Sequence, residues 1–315
     1  MIDKNSSKKI SILIPVFNRR QFISECIQSA LNQTCENFEV VVVDNLSDDG
    51  TWEICQDFAK KDSRVRVFRN ESNIGPVRNW IRCVEESRGE YGKFLFSDDL
   101  IFPDYLEKTL PLMSNPMVAF VFSAALIGEA PEASQLAYSS KKSSEIISKE
   151  IYFRRLASGI PAVPVSPGAA LFRMEDIKRS LVLTVSGIDH DFNLNGAGPD
   201  VLLFALTAKN YQTVALISEP LVFFRAHQGS FSVENFNNKV TEGYRLALSW
   251  FFKNHTNSRC WADWTAKIML QNIKNNWSPK SPFEVSRRYS GRGTWLEVVQ
   301  MSSAAIAYTI KRLIK

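Results

Sequence analysis

The stretch FEVVVVDNLSDDGTWEICQDFAKK, residues 38–61, decides the fold. It begins as a β-branched run, turns at Asp, Ser and Gly residues, and continues with the periodicity of a helix. Because Val40–Val43 offers apolar side chains to both faces, this strand needs cover on both sides. Equivalent units are ISILIPV (10–16) with RQFISECIQSALNQ (20–33), RVRVFRN (64–70) with GPVRNWIRCVEES (75–87), and the strand YGKFLF (91–96). The alternation predicts an α/β fold with a mostly parallel central sheet flanked by helices.

The rest of the chain is less regular and ends in helices. We predict a strand (116–128), a Ser-rich loop (131–145), a strand with a short helix (168–180), a helix (198–210) and two short strands (211–227). From about Asn235 the pattern is helical, with breaks at 278–284 and 290–293. These patterns predict one domain over residues 1–232 and a C-terminal helical extension over residues 233–315.

Composition and charge narrow the class of protein. Of 315 residues, 45% are hydrophobic and 23% are charged, which is typical of a soluble globular chain. The N-terminus lacks an apolar signal region, no apolar run reaches the ~20 residues that span a bilayer, and five scattered cysteines indicate reduced thiols. We therefore predict a cytoplasmic protein.

The net charge of +5 is unevenly distributed along the chain. From residue 267 to the end, nine Lys and Arg residues face two acidic residues, whereas the preceding part is slightly acidic. A basic tail is typical of contact with an anionic surface, such as phospholipid or nucleic acid, or of a solvated basic face, and the charge pattern leaves these readings open.

Two adjacent carboxylates, Asp98 and Asp99, follow the fourth predicted strand. Ligands of parallel sheets bind beyond the carboxyl ends of the strands. The segments predicted to meet there are Pro15–Arg20, Asp44–Gly50, Asn70–Arg78 and Ser97–Asp99. A carboxylate at such a place needs a cation or good donors, although both residues could also cap the following turn.

Known phosphate-binding loops are absent from the sequence. The turn after the first strand, PVFNRR (15–20), has no glycine, and no Walker sequence occurs. A divalent cation, Mn²⁺ or Mg²⁺, held by Asp98 and Asp99 is the alternative way to neutralise a phosphate.

Four motifs carry a resemblance to a known family. They are SILIPVFNRRQFISECIQSALNQT (11–34), FEVVVVDNLSDDGT (38–51), NIGPVRNWIRCVEESRGEY (73–91) and FLFSDDLIFPDYLEK (94–108). In this order and spacing they resemble an inverting family 2 glycosyltransferase of the GT-A fold, of the bacterial surface-polysaccharide type. SPGAALFR (166–173), GPD (198–200) and PLVFFRAHQGSFS (220–232) match more loosely, and the helical tail does not match.

The resemblance implies an activity and a donor site. Residues 1–232 would form the catalytic domain, with a nucleotide-binding half (10–108) and an acceptor-binding half (109–232). The enzyme would move a sugar from a nucleotide sugar, with a UDP-sugar favoured, to a hydroxyl of a glycan or lipid-linked oligosaccharide, as in O-antigen or capsule assembly. Pro15 and Phe17 would flank the base, and Asp44 would hydrogen-bond the base or ribose. Arg78, on the first turn of a helix, either reaches a phosphate or lies on a solvated face.

The resemblance also implies a metal site and a catalytic base. Asp98, with Asp99 beside it, would place the metal on the diphosphate, and His227 is a further candidate ligand or else a structural histidine. Asp200 would be the general base that takes the proton of the acceptor hydroxyl, and Asp191 in GIDHDFN is the second candidate.

The sequence departs from the family pattern at several positions. Phe96 stands where relatives often have an additional Asp before the doublet, Asn45 replaces a second Asp, Leu46 replaces a common Gly, and Pro199 replaces an acid. Phe96 and Asn45 favour a rival reading, a catalytically silent nucleotide-binding module. A second rival is a sugar nucleotidyltransferase on a related fold, which would need glycines after the first strand that PVFNRR lacks. A nucleic-acid binder is supported only by the basic tail, and we predict no nucleic-acid partner.

The final segment TWLEVVQMSSAAIAYTIKRLIK (294–315) is predicted to be amphipathic. Trp295, Val299, Ile306, Ile310 and Leu313 share one stripe. Such a helix can lie on an anionic membrane at the inner face of the cell membrane, pack on the catalytic domain, or mediate a homo-oligomer.

Overall fold

The computed structural model describes residues 10–139, 144–158, 163–193, 196–227, 238–274, 282–290 and 294–313. The strands are β1 (Ile10–Val16), β2 (Phe38–Asp44), β3 (Val65–Arg69), β4 (Tyr91–Phe94), β5 (Leu100–Ile101), β6 (Val118–Gly128), β7 (Ser134–Ala137), β8 (Glu145–Ser148), β9 (Ala170–Arg173) and β10 (Thr213–Arg225). The helices of the sheet domain are α1 (Ile23–Leu31), α2 (Thr51–Lys61), α3 (Pro76–Glu86), α4 (Tyr105–Met113), α5 (Lys149–Ser158), α6 (Met174–Ser180) and α7 (Pro199–Ala208). They are followed by α8 (Asn238–His255), α9 (Ser258–Lys274), α10 (Pro282–Ser290) and α11 (Trp295–Leu313).

The central sheet has the order β3-β2-β1-β4-β9-β6-β10-β5. Strands β1 to β4 pair in parallel, and β6 pairs in parallel with β10. Strand β9 is antiparallel to both of its neighbours, β4 and β6. The predicted α/β architecture with a mostly parallel sheet is confirmed.

Two predicted segments differ from the structure. Residues 211–227, predicted as two strands, form the single strand β10, whose register against β6 shifts around Pro220 because proline has no N–H to donate to the ladder. The predicted loop 131–145 contains β7, which pairs with β6, and its residues 140–143 lie outside the described chain.

The strands separate two hydrophobic cores because successive side chains point to opposite faces. One core contains Ile12 and Val42 with α1, α2 and α4, and the other contains Leu13 and Val43 with α3, α5, α6 and α7. Both faces of the sheet are covered by helices. A ligand is therefore expected to bind at the carboxyl-terminal edge of the sheet.

The C-terminal helices share the second core. Phe251 of α8 packs on Phe153 of α5, with ring centroids 5.3 Å apart, and Phe252 packs on Trp264 of α9. Of the three roles open to the C-terminal helices, packing on the sheet domain is therefore observed. The predicted boundary at residues 232 and 233 lies outside the described residues. Among the described helices, none combines the length and the apolar character that crossing a bilayer requires.

Candidate active site

A cavity of about 1070 Å³ opens at the carboxyl-terminal edge of the sheet. It is lined by Pro15 at the end of β1, Phe17 after β1, the Asp98–Asp99 doublet after β4 and Asp200 of α7. The predicted convergence of the strand-end segments thus produces one site, which is the chain's candidate active site.

The loop after β1 holds its shape without glycine. Asn18 adopts a left-handed conformation with φ of 50°, which asparagine tolerates better than most residues. Its side chain exchanges hydrogen bonds with Asp48, the Arg19 amide donates to the Thr51 hydroxyl at 2.9 Å, and the Arg20 amide donates to Asp49 at 3.0 Å. Asp48 and Asp49 therefore brace this loop rather than line the cavity.

At the end of β2, Asp44 is buried and Asn45 faces the cavity. The Asp44 carboxylate has no exposed surface, accepts hydrogen bonds from Ser47, and pairs with Arg69 at 3.1 Å. The Asn45 side chain donates to Asn73 and accepts from the Ile74 amide, so it anchors the loop that precedes α3. The contact of Asp44 with a nucleotide stays a prediction, and Asn45 is the cavity-lining residue of the pair.

The Asp98 carboxylate lies beside basic side chains. Its Oδ2 is 3.1 Å from Nε2 of His227 and 3.6 Å from Nε of Arg19. Arg225 donates from Nε to the Asp98 backbone carbonyl at 3.0 Å. The Arg19 guanidinium therefore flanks this carboxylate, whereas the Arg225 guanidinium lies against the Asp98 backbone and also pairs with Glu25 at 2.7 Å. The Arg19 side of the cavity wall is where the negative charge of a diphosphate could be accommodated.

Asp99 also lines the cavity, but its carboxylate is hydrogen-bonded to the protein backbone rather than to this cluster. Its Oδ1 accepts a hydrogen bond from the Arg225 amide at 3.0 Å. Burial and the adjacent Asp98 raise the pKa of Asp99, and burial lowers the pKa of the enclosed Lys93 to about 7. Lys93 donates to the Gly168 carbonyl and lies over the ring of Tyr105.

Two side chains, rather than three, are placed to ligate a divalent cation. Within the described ranges, no group of three His, Cys, Asp or Glu side chains is arranged to hold a metal ion. Asp98 and His227 do lie within reach of one ion and offer an oxygen and a nitrogen donor, a set that suits Mn²⁺. The buried, backbone-bonded Asp99 does not complete this set.

Asp200 begins the buried helix α7 and is only 6% exposed. Its Oδ1 accepts hydrogen bonds from the amides of Gly198 at 2.9 Å and Val201 at 2.6 Å, and its Oδ2 accepts one from the Tyr244 hydroxyl at 2.6 Å. Burial raises the pKa of Asp200 to about 7, although these hydrogen bonds act in the opposite direction. A carboxylate that titrates near neutral pH beside a cavity is suited to general-base chemistry.

A profile match decides the family of the chain. The profile described as Glycosyl transferase family 2 matches residues 11–181, which is more than half of the chain. The chain belongs to glycosyltransferase family 2. The match covers the strand-end loops and the acidic doublet, whereas Asp200 and the C-terminal helices lie beyond it.

Relatives of this family-2 chain match it over limited segments. EpsH of Bacillus subtilis is 39% identical over 102 residues, which are 32% of this chain and 29% of EpsH. TuaG of Bacillus subtilis, whose name assigns it to teichuronic acid biosynthesis, is 36% identical over 114 residues, 36% of this chain and 45% of TuaG. The chain therefore spans less than half the length of these relatives.

A solved structure extends the likeness to the whole fold. S. aureus TarS 1–349, in complex with UDP-GlcNAc, superimposes with a TM-score of 0.70 at 15% identity, covering 95% of this chain and 89% of that one. At this identity the likeness shows the fold, and the prediction of a GT-A fold is confirmed.

Other predicted site residues of the family-2 chain lie outside the cavity lining. Asp191 is exposed and accepts a hydrogen bond from the Asn193 amide at 3.0 Å. Arg78 is exposed on α3, and its own amide donates to the Asn193 side chain. Of the two candidate bases, Asp200 is the one that lines the cavity.

Sequence reasoning missed three residues that face the cavity, Arg19, Arg225 and Tyr244. Arg19 and Arg225 had a usable signal, because each stands in a motif quoted above, next to a turn or a histidine. Tyr244 had no such sequence signal, because the hydrophobic pattern of α8 does not indicate which turn of the helix contacts Asp200.

Proposed function

We propose that this chain is an inverting glycosyltransferase that moves a sugar from a nucleotide sugar to an acceptor hydroxyl. The observation that carries the proposal is the presence, in one cavity, of a cation-flanked carboxylate, Asp98, and a carboxylate with a pKa near 7, Asp200. The basic side chains around Asp98 can offset charge on a departing diphosphate. The Asp200 carboxylate can accept the proton of an attacking hydroxyl.

The donor would bind at the ends of β1 and β2. Phe17 is 41% exposed, so its ring is available to cover a base, while Pro15 and Asn45 line the adjoining wall. TarS was crystallised with UDP-GlcNAc on the same fold, which favours a UDP-sugar. The uracil imide and the ribose hydroxyls could pair with amide and carbonyl groups of this edge.

A divalent cation would be held by Asp98 and His227, with diphosphate oxygens and water completing its shell. When bound, the ion would supply positive charge to the leaving diphosphate. Arg19 and Arg225 contribute charge of the same sign from the protein itself, so part of the leaving-group stabilisation is built into the fold.

Transfer then needs the acceptor hydroxyl between Asp200 and the anomeric carbon. A base on the face opposite the leaving group produces in-line displacement and inversion of configuration. Part of the cavity wall is apolar and aromatic and is formed by Ile127, Tyr138, Val165 and Phe224. Such walls suit the apolar faces of sugar rings, and a glycan or lipid-linked oligosaccharide is the proposed acceptor.

Binding measurements test the donor site and its metal. Calorimetry should show UDP binding that strengthens by about 10-fold or more when Mn²⁺ is added, because a divalent cation bridges phosphate oxygens to the Asp98 carboxylate. AMP with Mn²⁺ serves as the control nucleotide. Equal affinity for UDP with and without Mn²⁺ would contradict metal assistance, and absence of UDP binding in both would favour a silent module or a different donor.

The exposed stripe of α11 would bring the enzyme to an anionic membrane at the inner face of the cell membrane. Trp295, Leu296, Val299 and Ile306 are 72%, 67%, 47% and 63% exposed, whereas the stripe residues Ile310 and Leu313 have no described side chains. An apolar helix face of this size is suited to the headgroup boundary, and the basic tail would add attraction to anionic lipid.

Vesicle flotation tests the membrane contact. The protein should float with phosphatidylglycerol vesicles, and Trp295→Glu with Ile306→Glu should reduce the bound fraction by roughly 10-fold because charges do not enter the apolar boundary. Gln300→Glu, an exposed polar change on the same helix, is the matched control. Equal flotation of all three proteins would show that α11 does not carry the contact, and concentration-dependent dimerisation would assign its face to a homo-oligomer.

A further inference from the structure

The helix α8 reaches from the C-terminal region to the residue proposed as the base. The Tyr244 hydroxyl donates to Oδ2 of Asp200 at 2.6 Å, while the amides of Gly198 and Val201 occupy Oδ1. Burial and the Asp200 carboxylate raise the pKa of Tyr244, so its phenol keeps the proton that it donates. The carboxylate is thus fixed by one donor from α8 and by two from its own helix terminus.

A glycine next to Tyr244 brings α8 this close. A Cβ at Gly243 would lie under 3.0 Å from the carbonyl oxygen of Ala197, in the turn that leads into Asp200. The Gly243 backbone therefore packs directly on this turn. Within the turn, Gly198 has φ of 122° and packs against the ring of Phe192, so the backbone before Asp200 is fixed from two sides.

We infer that Tyr244 is a positioning residue for the Asp200 base, and that α8 is for this reason part of the catalytic machinery. The inference rests on the role proposed for Asp200. The phenol orients the carboxylate so that a defined oxygen lone pair can face the acceptor, and it stabilises the ionised form that a base requires. Gly243 serves the same end by allowing α8 to approach the turn.

The hydrogen bond acts on the pKa of Asp200 in a known direction. Burial raises this pKa to about 7, and the Tyr244 hydrogen bond lowers it from what burial alone would give. Tyr138 also interacts with the Asp200 charge, but burial above all raises the pKa of Tyr138 to about 12, so it stays neutral at pH 7. Loss of the phenol should therefore move the Asp200 titration to higher pH.

Carboxyl NMR of the full chain tests this without a substrate. With ¹³C-labelled aspartate, the Asp200 signal is assigned as the one that Asp200→Asn removes, and it should titrate near pH 7 in the unmodified protein. Tyr244→Phe should shift this titration upward by roughly one pH unit, because one hydrogen bond to an ionised group is lost. Gly243→Ala should shift it in the same direction by pushing α8 away from the turn.

A matched control separates positioning from general loosening of the helices. Tyr289 of α10 donates its phenol to Glu242 of α8, so Tyr289→Phe deletes a similar bond on the same helix, away from Asp200. It should leave the Asp200 titration in place, even if thermal stability falls as much as in Tyr244→Phe. An unchanged Asp200 titration in folded Tyr244→Phe, or an equal shift in Tyr289→Phe, would overturn the inference.

Transfer assays keep this inference distinct from the proposed function. If Asp200→Asn still transfers sugar at the full rate, the proposed base is wrong whatever the titration shows. If Asp200→Asn is inactive, the rate of Tyr244→Phe should be about 10-fold below that of the unmodified enzyme at pH 6 and should approach it at pH 9. A uniform loss at both pH values would mean that Tyr244 serves structure alone.

Discussion

Asp98→Asn is expected to lower the rate of sugar transfer by roughly 100-fold or more, because it removes the proposed anionic metal ligand while keeping the shape of the side chain. The neutral amide oxygen is a weaker ligand for a cation than the carboxylate, and the change also leaves Arg19 without its anionic partner. Transfer of a radiolabelled sugar, followed at saturating Mn²⁺ and donor, measures the effect.

The defect of Asp98→Asn should lie in metal-assisted nucleotide binding. Calorimetry should show that Mn²⁺ no longer strengthens UDP binding to Asp98→Asn, while UDP alone binds about as before. Asp57→Asn, which alters an exposed carboxylate paired with Lys60 on α2, is the matched control and should behave like the unmodified enzyme. Near-normal transfer by Asp98→Asn would remove Asp98 from the site and with it the proposed metal.

Local sequence predicted most reliably the site residues that lie at the end of a buried strand or shortly after it. Pro15, Phe17 and Asp98 line the cavity because the carboxyl ends of neighbouring parallel strands meet at one edge, and apolar runs mark those ends.

Side-chain direction at the strand ends depends on contacts that sequence does not reveal. Asp99 was expected beside Asp98, yet it turns inward because the amide of Arg225, 126 residues later, supplies its donor. Asp44 and Asn45 are adjacent, but Asn45 is the one that faces the cavity, since Ser47 and Arg69 enclose the Asp44 carboxylate. Each outcome was decided by a long-range or loop partner.

The departures from the family pattern acquire physical reasons in the structure. Leu46 has φ of 66°, a conformation that glycine adopts without strain, which is why glycine is common at this position; here the leucine side chain is 40% exposed. Phe96, where an acid is common, packs on Trp80 at 5.2 Å between ring centroids and lines the cavity with an apolar ring. The acidic doublet therefore has one carboxylate fewer beside it than the family pattern often provides.

Asp200→Asn is expected to lower the transfer rate by roughly 100- to 10,000-fold, the range in which a general base contributes. Asparagine preserves the acceptor oxygen for the Gly198 and Val201 amides, so α7 should keep its start. It cannot take a proton from an acceptor hydroxyl, and its amide group can no longer accept the Tyr244 hydrogen bond in the same way.

The loss should fall on chemistry rather than on donor binding. Because Asp200 lies on α7, away from the strand-end loops that would hold the nucleotide, the affinity for UDP with Mn²⁺ should stay within about twofold while kcat falls. Asp191→Asn, which alters the exposed second candidate, should retain most activity if Asp200 is the base. The reverse pattern, with Asp191→Asn inactive and Asp200→Asn active, would transfer the role to Asp191 and leave the raised pKa of Asp200 as a consequence of burial alone.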